Sequence, residues 1–250
     1  MIRIDDLEIK NYKIYQDTDK FCFGIDAVLL ANFILMEENK NFCLFDLCTG
    51  NGIIPFIIYA KRKSHIKIDA IDIDCEQIQL AKKTIDLNKH IDKNIDDDLH
   101  FINDDIKNII NTKKYVDYIN KYDVVSCNPP YIKKNSGIEN LSSKLNFAKH
   151  EIYITLDIIC KTANTLLNAN KNFYMIHRTD RLAEIIRVLK ENNLEPKKIQ
   201  FVYPSINKKS NLFLIKSTKK AKEGIIVKEP IIVFDNKGNF TDYVLNIYGK

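Results

Sequence analysis

The sequence predicts an α/β domain built on a mostly parallel sheet with helices packed on both faces. Short apolar, β-branched runs at 42–47, 66–72, 99–102, 122–127 and 173–177 alternate with longer segments of helical periodicity, the pattern of repeated strand–helix–strand units. Two of these runs stop at turn chemistry: Cys48-Thr49-Gly50-Asn51-Gly52 follows the first, and Asn128-Pro129-Pro130-Tyr131 follows the fourth. Ligands of open α/β sheets bind outside the carboxyl ends of the strands, so both turns mark a site before any chemistry is considered.

Composition narrows the class. The chain has 250 residues, 45% of them hydrophobic and 28% charged, enough to bury one full core. No apolar stretch reaches the length of a bilayer span, and Met1 to Asp6 lacks a signal-type apolar segment, so a cytosolic protein is expected. The six cysteines form no C-x-x-C pair and lie beside no ordered histidine set; reduced, mostly buried thiols are expected rather than disulfides or a metal site. A net charge of +5 permits an anionic partner without requiring one.

In chain order, residues 1–20 read as an irregular or weakly paired arm. An aromatic turn at Gly24 then leads into an apolar helix that fades at Glu37 and Glu38. Gly24 and Asp26 are candidates for a lid over a ligand, the alternative being a turn with an N-terminal acid. The first core strand carries Asp46, and the helix at 53–61 has Pro55 in its first turn, where a missing N–H is tolerated. A dinucleotide turn needs a third glycine so that a pyrophosphate can reach backbone amides; Ile53-Ile54-Pro55 occupies that region here. A ligand without phosphate suits the loop better. Asp72 closes the second strand about 20 residues past the glycines, where a nucleotide-binding unit keeps the acid that holds ribose hydroxyls. S-adenosylmethionine combines a ribose with a sulfonium and a cationic amino-acid tail, which Asp46 is placed to meet. On this reading Cys48, Thr49, Gly50, Gly52 and Ile73 border the ligand. Asp105 and Ile106, past the third strand, would take the adenine amine and ring face, with Asp105 as a helix cap the alternative.

The fourth strand delivers the tetrapeptide, whose residues suit methylation of an exocyclic amine with a delocalised lone pair. Acceptors on the two amine hydrogens, the Asn128 side-chain oxygen and the Pro129 carbonyl, favour the pyramidal nitrogen in which that lone pair is freed. Pro129 and Pro130 stiffen the loop, and Tyr131 offers a flat face for a planar group. Asn128 reaches the ligand if the first core strand neighbours the fourth. Residues 132–145 read as a polar loop with Lys133 and Lys134, placed to grip substrate. Helices at 147–167 and 180–192 and strands at 199–203, 212–217 and 225–234 complete the chain, a closing hairpin among them. Basic residues gather in this half. His177, Arg178, Lys208 and Lys209 are candidates for phosphate contacts to nucleic acid, against a solvated lysine-rich face.

With these stretches the sequence resembles class I S-adenosylmethionine-dependent methyltransferases carrying the Asn-Pro-Pro-Tyr motif. More narrowly, it is similar to the bacterial tRNA1(Val) adenine-N6 methyltransferase family. The family-specific parts are residues 21–31, residues 46–55, Met175-Ile176-His177-Arg178 with Arg181-Leu182-Ala183-Glu184, and Phe240-Thr241-Asp242-Tyr243-Val244-Leu245. The resemblance implies a Rossmann-like, seven-stranded sheet with an antiparallel last strand. It implies one methyltransferase domain over 1–250, with an N-terminal arm and helix at 1–38, the core at 39–220 and an extension at 221–250. S-adenosylmethionine would be held by Asp46, Gly50 and Gly52 at its methionine end, Asp72 at its ribose, and Asp105 with Ile106 at its adenine. The implied partner is the anticodon loop of valine tRNA, whose adenine beside the anticodon would be flipped onto Tyr131 and held by Asn128, Pro129 and Pro130. A monomer without metal is expected.

Cys48 and Asn51 stand where the family more often has Gly and Thr, and Asp104 replaces the family glycine before Asp105. The tetrapeptide is shared with enzymes that methylate a protein glutamine amide or a guanine amine, so these stay as alternatives. The glutamine enzymes usually carry an N-terminal helical domain where this chain has a short arm. A catalytically silent RNA-binding module on the same fold is the non-enzyme alternative.

Overall fold

A computed structural model describes residues 1–19, 24–38, 40–62, 66–130 and 154–249. The N-terminal arm is an antiparallel hairpin of β1 (Ile2–Asp6) and β2 (Lys13–Asp17). The core strands are β3 (Leu44–Leu47), β4 (Ile68–Asp72), β5 (Leu99–Asn103), β6 (Tyr122–Cys127), β7 (Leu167–Arg178), β8 (Leu194–Ser205), β9 (Leu212–Lys219) and β10 (Ile226–Phe234). They lie in the order β10-β8-β9-β7-β6-β3-β4-β5. Every neighbouring pair is parallel except those of β9, which runs antiparallel to both β7 and β8. The antiparallel strand expected of the fold is therefore β9. It is not the last, because β10 adds an eighth strand, parallel to β8, where seven were expected. As an edge strand β10 buries only Ile231 and Val233.

Helices α1 (Ile25–Glu37), α2 (Ile53–Lys61) and α3 (Cys75–Asn88) pack into the core on one face. After the single turn α4 (Ile95–Asp98), helices α5 (Lys107–Asn111), α6 (Leu156–Leu166) and α7 (Leu182–Glu191) serve the core of the other. The last helix, α8 (Asp242–Tyr248), buries Val244 and Ile247. α2 is buried from Ile53 to Ala60, as a helix apolar all round must be. β3 is likewise buried residue for residue, the reading of a strand covered on both faces.

Topology places the site. β3 pairs in parallel with both β4 and β6, so strand order reverses between β3 and β6, and ligands of open α/β sheets bind at such a switch point. Leu47 is the register partner of Cys127; Cys48 and Asn128 therefore leave adjacent strand ends.

Several boundaries differ from the sequence reading. β7 starts earlier, at Leu167, because Leu167 pairs with Tyr122 of β6, and β8 starts at Leu194 because Leu194 pairs with Lys219 of β9. Pro196 is tolerated within β8 because the register shifts between Pro196 and Lys198. The expected helix at 180–192 begins as a 3₁₀ turn at Thr179–Arg181. Of the helix expected at 147–167, residues 147–153 lie outside the described residues. The arm is well anchored: Lys13 N donates to Asn88 Oδ1 at 2.9 Å, Tyr15 N to Thr84 Oγ1 at 3.1 Å, and Asn51 Nδ2 to Tyr15 O at 3.0 Å.

Candidate active site and cofactor cleft

The turn after β3 has backbone demands that explain its residues. Gly52 has φ +83°, and a Cβ there would meet Phe101 Cε1 at 2.5 Å, so the position is closed to any other residue. Gly50 has φ +56° with nothing within 4 Å of an added Cβ: its surface is open toward a ligand. Cys48 adopts φ +57°, a left-handed conformation costing a non-glycine residue about 1–2 kcal/mol. That is the physical reason a glycine is favoured there. The turn is held by Thr49 N donating to Ile71 O at 3.1 Å and Gly50 N to Asp72 Oδ2 at 2.8 Å.

Beside this turn, Cys48, Asp72, Ile73, Ile106 and Pro130 converge with Ile154 on one cleft, whose empty volume, open mouth included, is about 340 Å³. Four of these residues were expected to hold cofactor and one belongs to the tetrapeptide, so the two turns share a cavity. Asp72 Oδ1 also accepts from Asp74 N at 2.9 Å, ordering the start of α3.

Asp46 is fully buried and accepts from Ser126 Oγ at 2.5 Å. Its other oxygen, Oδ2, and Thr49 Oγ1 have no hydrogen-bond partner among the described residues. Burial pushes the Asp46 carboxyl up to about 7, against the pull of the Ser126 and nearby Thr49 hydroxyls. A buried carboxylate oxygen without a donor suits a cationic ligand group, and the open face at Gly50 leaves room beside it. The residues present thus fit S-adenosylmethionine. At the end expected to take the adenine, Ile106 lines the cleft, and Asp105 Oδ1 accepts from Lys107 N at 2.9 Å, one position ahead of Ile106, which is the N-cap of α5. Asp104 accepts from Asn108, Lys114 and Tyr115 side chains. Burial would raise its carboxyl, but these donors hold it well below the usual carboxylate range. In place of a glycine it has become a hub for the segment after β5.

At the end of β6 Asn128 is half-buried and Pro129 buried. Asn128 Nδ2 donates to Asp26 Oδ2 at 3.1 Å. A carboxylate only accepts, so this bond turns the amide nitrogen toward α1 and its carbonyl oxygen to the other side. Gly24 permits it: a Cβ there would lie 2.7 Å from Asp26 Oδ1. Asp26 therefore meets Asn128, the residue expected to hold the amine, with Gly24 leaving room for the Asp26 carboxylate.

Tyr131, Lys133 and Lys134 lie outside the described residues. His177 is 2% exposed, its Nδ1 accepts from Arg178 N at 2.8 Å, and burial with Arg181 nearby pulls its imidazole down to about 4. It is a buried neutral residue, which corrects its reading as a phosphate contact. Arg178 is half-buried and paired with Asp180 at 3.1 Å. Lys208 and Lys209 are exposed in the loop between β8 and β9. The sequence reading missed Ser126 and Ile154; a serine inside the apolar run Val124-Val125-Ser126-Cys127 is a signal for a buried polar partner. Among the described residues no group of three or more His, Cys, Asp or Glu could hold a metal ion, and no helix is long and apolar enough to cross a membrane.

Comparison with known proteins adds a family to this geometry. A family model described as "Methyltransferase domain" matches residues 38–220. A tRNA1(Val) (adenine(37)-N6)-methyltransferase of Histophilus somni strain 129Pt is 27% identical over 176 residues, 70% of this chain and 69% of that protein. One from Flavobacterium psychrophilum is 23% identical over 223 residues, 88% of this chain and 89% of its own. Among solved structures, a predicted O-methyltransferase from Agrobacterium tumefaciens has a TM-score of 0.70 at 18% identity, covering 90% of this chain and 95% of that one, a likeness of fold. The family model spans the sheet from before β3 to the end of β9 and contains the whole cleft: the chain belongs to the methyltransferase-domain family and is an S-adenosylmethionine-dependent methyltransferase.

Proposed function

We propose that this enzyme methylates the N6 amine of an adenine in the anticodon loop of valine tRNA, beside the anticodon. The observation that carries the reading is the Asn128 amide, oriented by Asp26 and followed by Pro130 on the wall of the cleft that Asp72 and Ile106 also line. When bound, S-adenosylmethionine supplies an electrophilic methyl group. The cofactor would be held by Asp46, Gly50 and Gly52 at its amino-acid end, by Asp72 and Ile73 at its ribose, and by Ile106 at its adenine. Asn128 Oδ1 and the Pro129 carbonyl accept the two amine hydrogens, which frees the nitrogen lone pair at the moment it is needed. The methylated nitrogen is cationic and acidic, so its proton passes on to water and no strong base is required. The relatives named above act on tRNA1(Val) at adenine 37, which supports an RNA substrate. A loop adenine is cheap to unstack. Arg178, Lys208 and Lys209, with Lys133 and Lys134, would supply phosphate contacts, and Tyr131 would receive the flipped base.

The test is transfer of a labelled methyl group from S-adenosylmethionine to unmodified tRNA, with mass spectrometry of the nucleosides. N6-methyladenosine is the expected product. Cofactor binding with unlabelled tRNA would overturn the substrate and leave a glutamine amide or guanine amine as the next to try.

A further inference from the structure

The stretch 240–245, which the sequence singled out, has no part in the chemistry above, yet it lies at the reactive edge of the sheet. β10 runs parallel to β8, and Phe234 is the register partner of Ser205 at the end of β8. Since β6, β7, β8 and β10 all run the same way, Phe234 sits on the carboxyl edge that also bears Asn128. The turn from Asp235 to Asn239 returns the chain, with Thr241 N donating to Val233 O at 3.0 Å. It lays Phe240 on Phe234 with centroids 5.1 Å apart and planes 14° from parallel. Tyr248 stacks on Phe240 at 5.8 Å and 23°. The inner end of this ladder approaches the site: burial and the Asp26 carboxylate together push the Tyr248 hydroxyl up, and Asp26 is the residue that holds Asn128. Phe234 is the outer rung and Phe240 the middle one, and both remain 38% exposed.

The surroundings are cationic. Lys208 and Lys209 are exposed in the loop that begins beside Phe234, where Lys208 N donates to Ser205 O at 3.0 Å. The exposed Asp235 carboxylate in the adjoining turn accepts from Lys237 N at 2.8 Å and Asn239 N at 2.9 Å. Flat aromatic surface flanked by lysines fits a single-stranded nucleic acid, since every base has a π-face and every linkage a phosphate. A second copy would bring lysine against lysine in a chain of net charge +5.

We infer that the Phe234–Phe240 pair is a stacking platform for an unpaired base of the RNA, outside the methylated adenine, with Lys208 and Lys209 on the adjoining phosphates. This rests on the RNA reading of the site. The probe is a synthetic RNA hairpin with an adenine in its unpaired loop, its binding followed by fluorescence anisotropy. Affinity for S-adenosylhomocysteine, measured by calorimetry, reports that each variant is folded. Phe234→Leu with Phe240→Leu keeps apolar volume and removes the rings; affinity for the hairpin is expected to fall about tenfold, within the range for losing one base–aromatic stack. Phe234→Tyr with Phe240→Tyr should restore it. Wild-type affinity in the folded leucine variant overturns the platform alone. A wild-type protein that binds cofactor but not the hairpin overturns the platform together with the RNA reading. A wild-type dimer that the leucine variant dissolves, with hairpin affinity unchanged, would assign the rings to a second copy and overturn it as well.

Discussion

Asn128 Nδ2 donates to the Asp26 carboxylate at 3.1 Å across 102 positions of sequence, tying the end of β6 to the first turn of α1. An isolated asparagine amide can present either end to a substrate. Here the carboxylate selects the nitrogen, so on the proposed function the amine meets an acceptor.

On that proposal Asp26 is a positioning residue acting through Asn128. Asp26→Ala is expected to lower kcat about 10–100-fold, the scale of a misplaced reactive group, with affinity for S-adenosylhomocysteine near wild type. Asn128→Ala should cost more, about 100–1,000-fold, as loss of a preorganised hydrogen-bonding group does. The double variant should be no worse than Asn128→Ala. Cofactor affinity that collapses in Asp26→Ala while kcat holds would return Asp26 to the cofactor site.

The contrast between these residues shows what a sequence reveals. Asp46, Gly50, Gly52, Asp72 and Asn128 are legible because each sits at a strand end announced by local chemistry: a β-branched run, then glycine, an acid or two prolines. The β3–β6 adjacency then follows from the fold class. The Asp26–Asn128 bond was hidden because it joins segments 102 positions apart, and no periodicity reports on a side-chain pair of that kind. The eighth strand was hidden in part: 225–234 reads as a strand, but its parallel seat against β8 is a matter of sheet order. His177 misled because a histidine followed by arginine at a strand end looks like a rim, whereas β7 is covered on both faces there and every residue from Phe173 to His177 is buried.

Asp46 carries a pH dependence. Burial raises its carboxyl to about 7 in the folded protein. From the ordinary carboxylate range up to that value the folded state retains a proton that the unfolded chain has released. Stability of the cofactor-free enzyme therefore falls as pH rises across this window. Asp46→Asn should flatten that slope in urea midpoints taken between pH 4 and pH 8. The ionised form is the one that attracts a cationic tail, so wild-type affinity for S-adenosylhomocysteine should rise across about pH 7 and the variant's should not. A pH-independent wild-type affinity would remove Asp46 from the cofactor site.

Gly52 tests the turn itself. With φ +83° and Phe101 2.5 Å from any added Cβ, Gly52→Ala must both occupy the left-handed region and displace an aromatic ring stacked on Phe56 at 5.4 Å. A loss of about 2–4 kcal/mol is expected from the two costs together, read by urea unfolding. Gly50→Ala, where nothing lies within 4 Å, should lose less stability and more cofactor affinity. Equal effects of the two on both readouts would contradict the open cradle at Gly50.

Far from the cleft, Glu37 at the end of α1 receives Lys198 at 2.5 Å, Lys228 at 2.9 Å and Lys216 at 3.4 Å, fastening the helix to β8, β9 and β10 at once. Its side chain is 5% exposed. Burial works to raise its carboxyl, but the lysine hydrogen bonds hold it down at about 2. A depressed carboxyl contributes stability that is present above its unfolded value and lost as pH falls toward the folded one. Glu37→Gln should therefore destabilise at neutral pH by about 1–3 kcal/mol, less than breaking an entirely buried pair because the lysines keep partial access to water. It should also shallow the acid limb between the ordinary glutamate range and about pH 2. Stability curves that coincide at neutral pH and differ only in acid would mean that the three lysines find other partners, and that α1, which carries Asp26 at its other end, is held on the sheet by its apolar face alone.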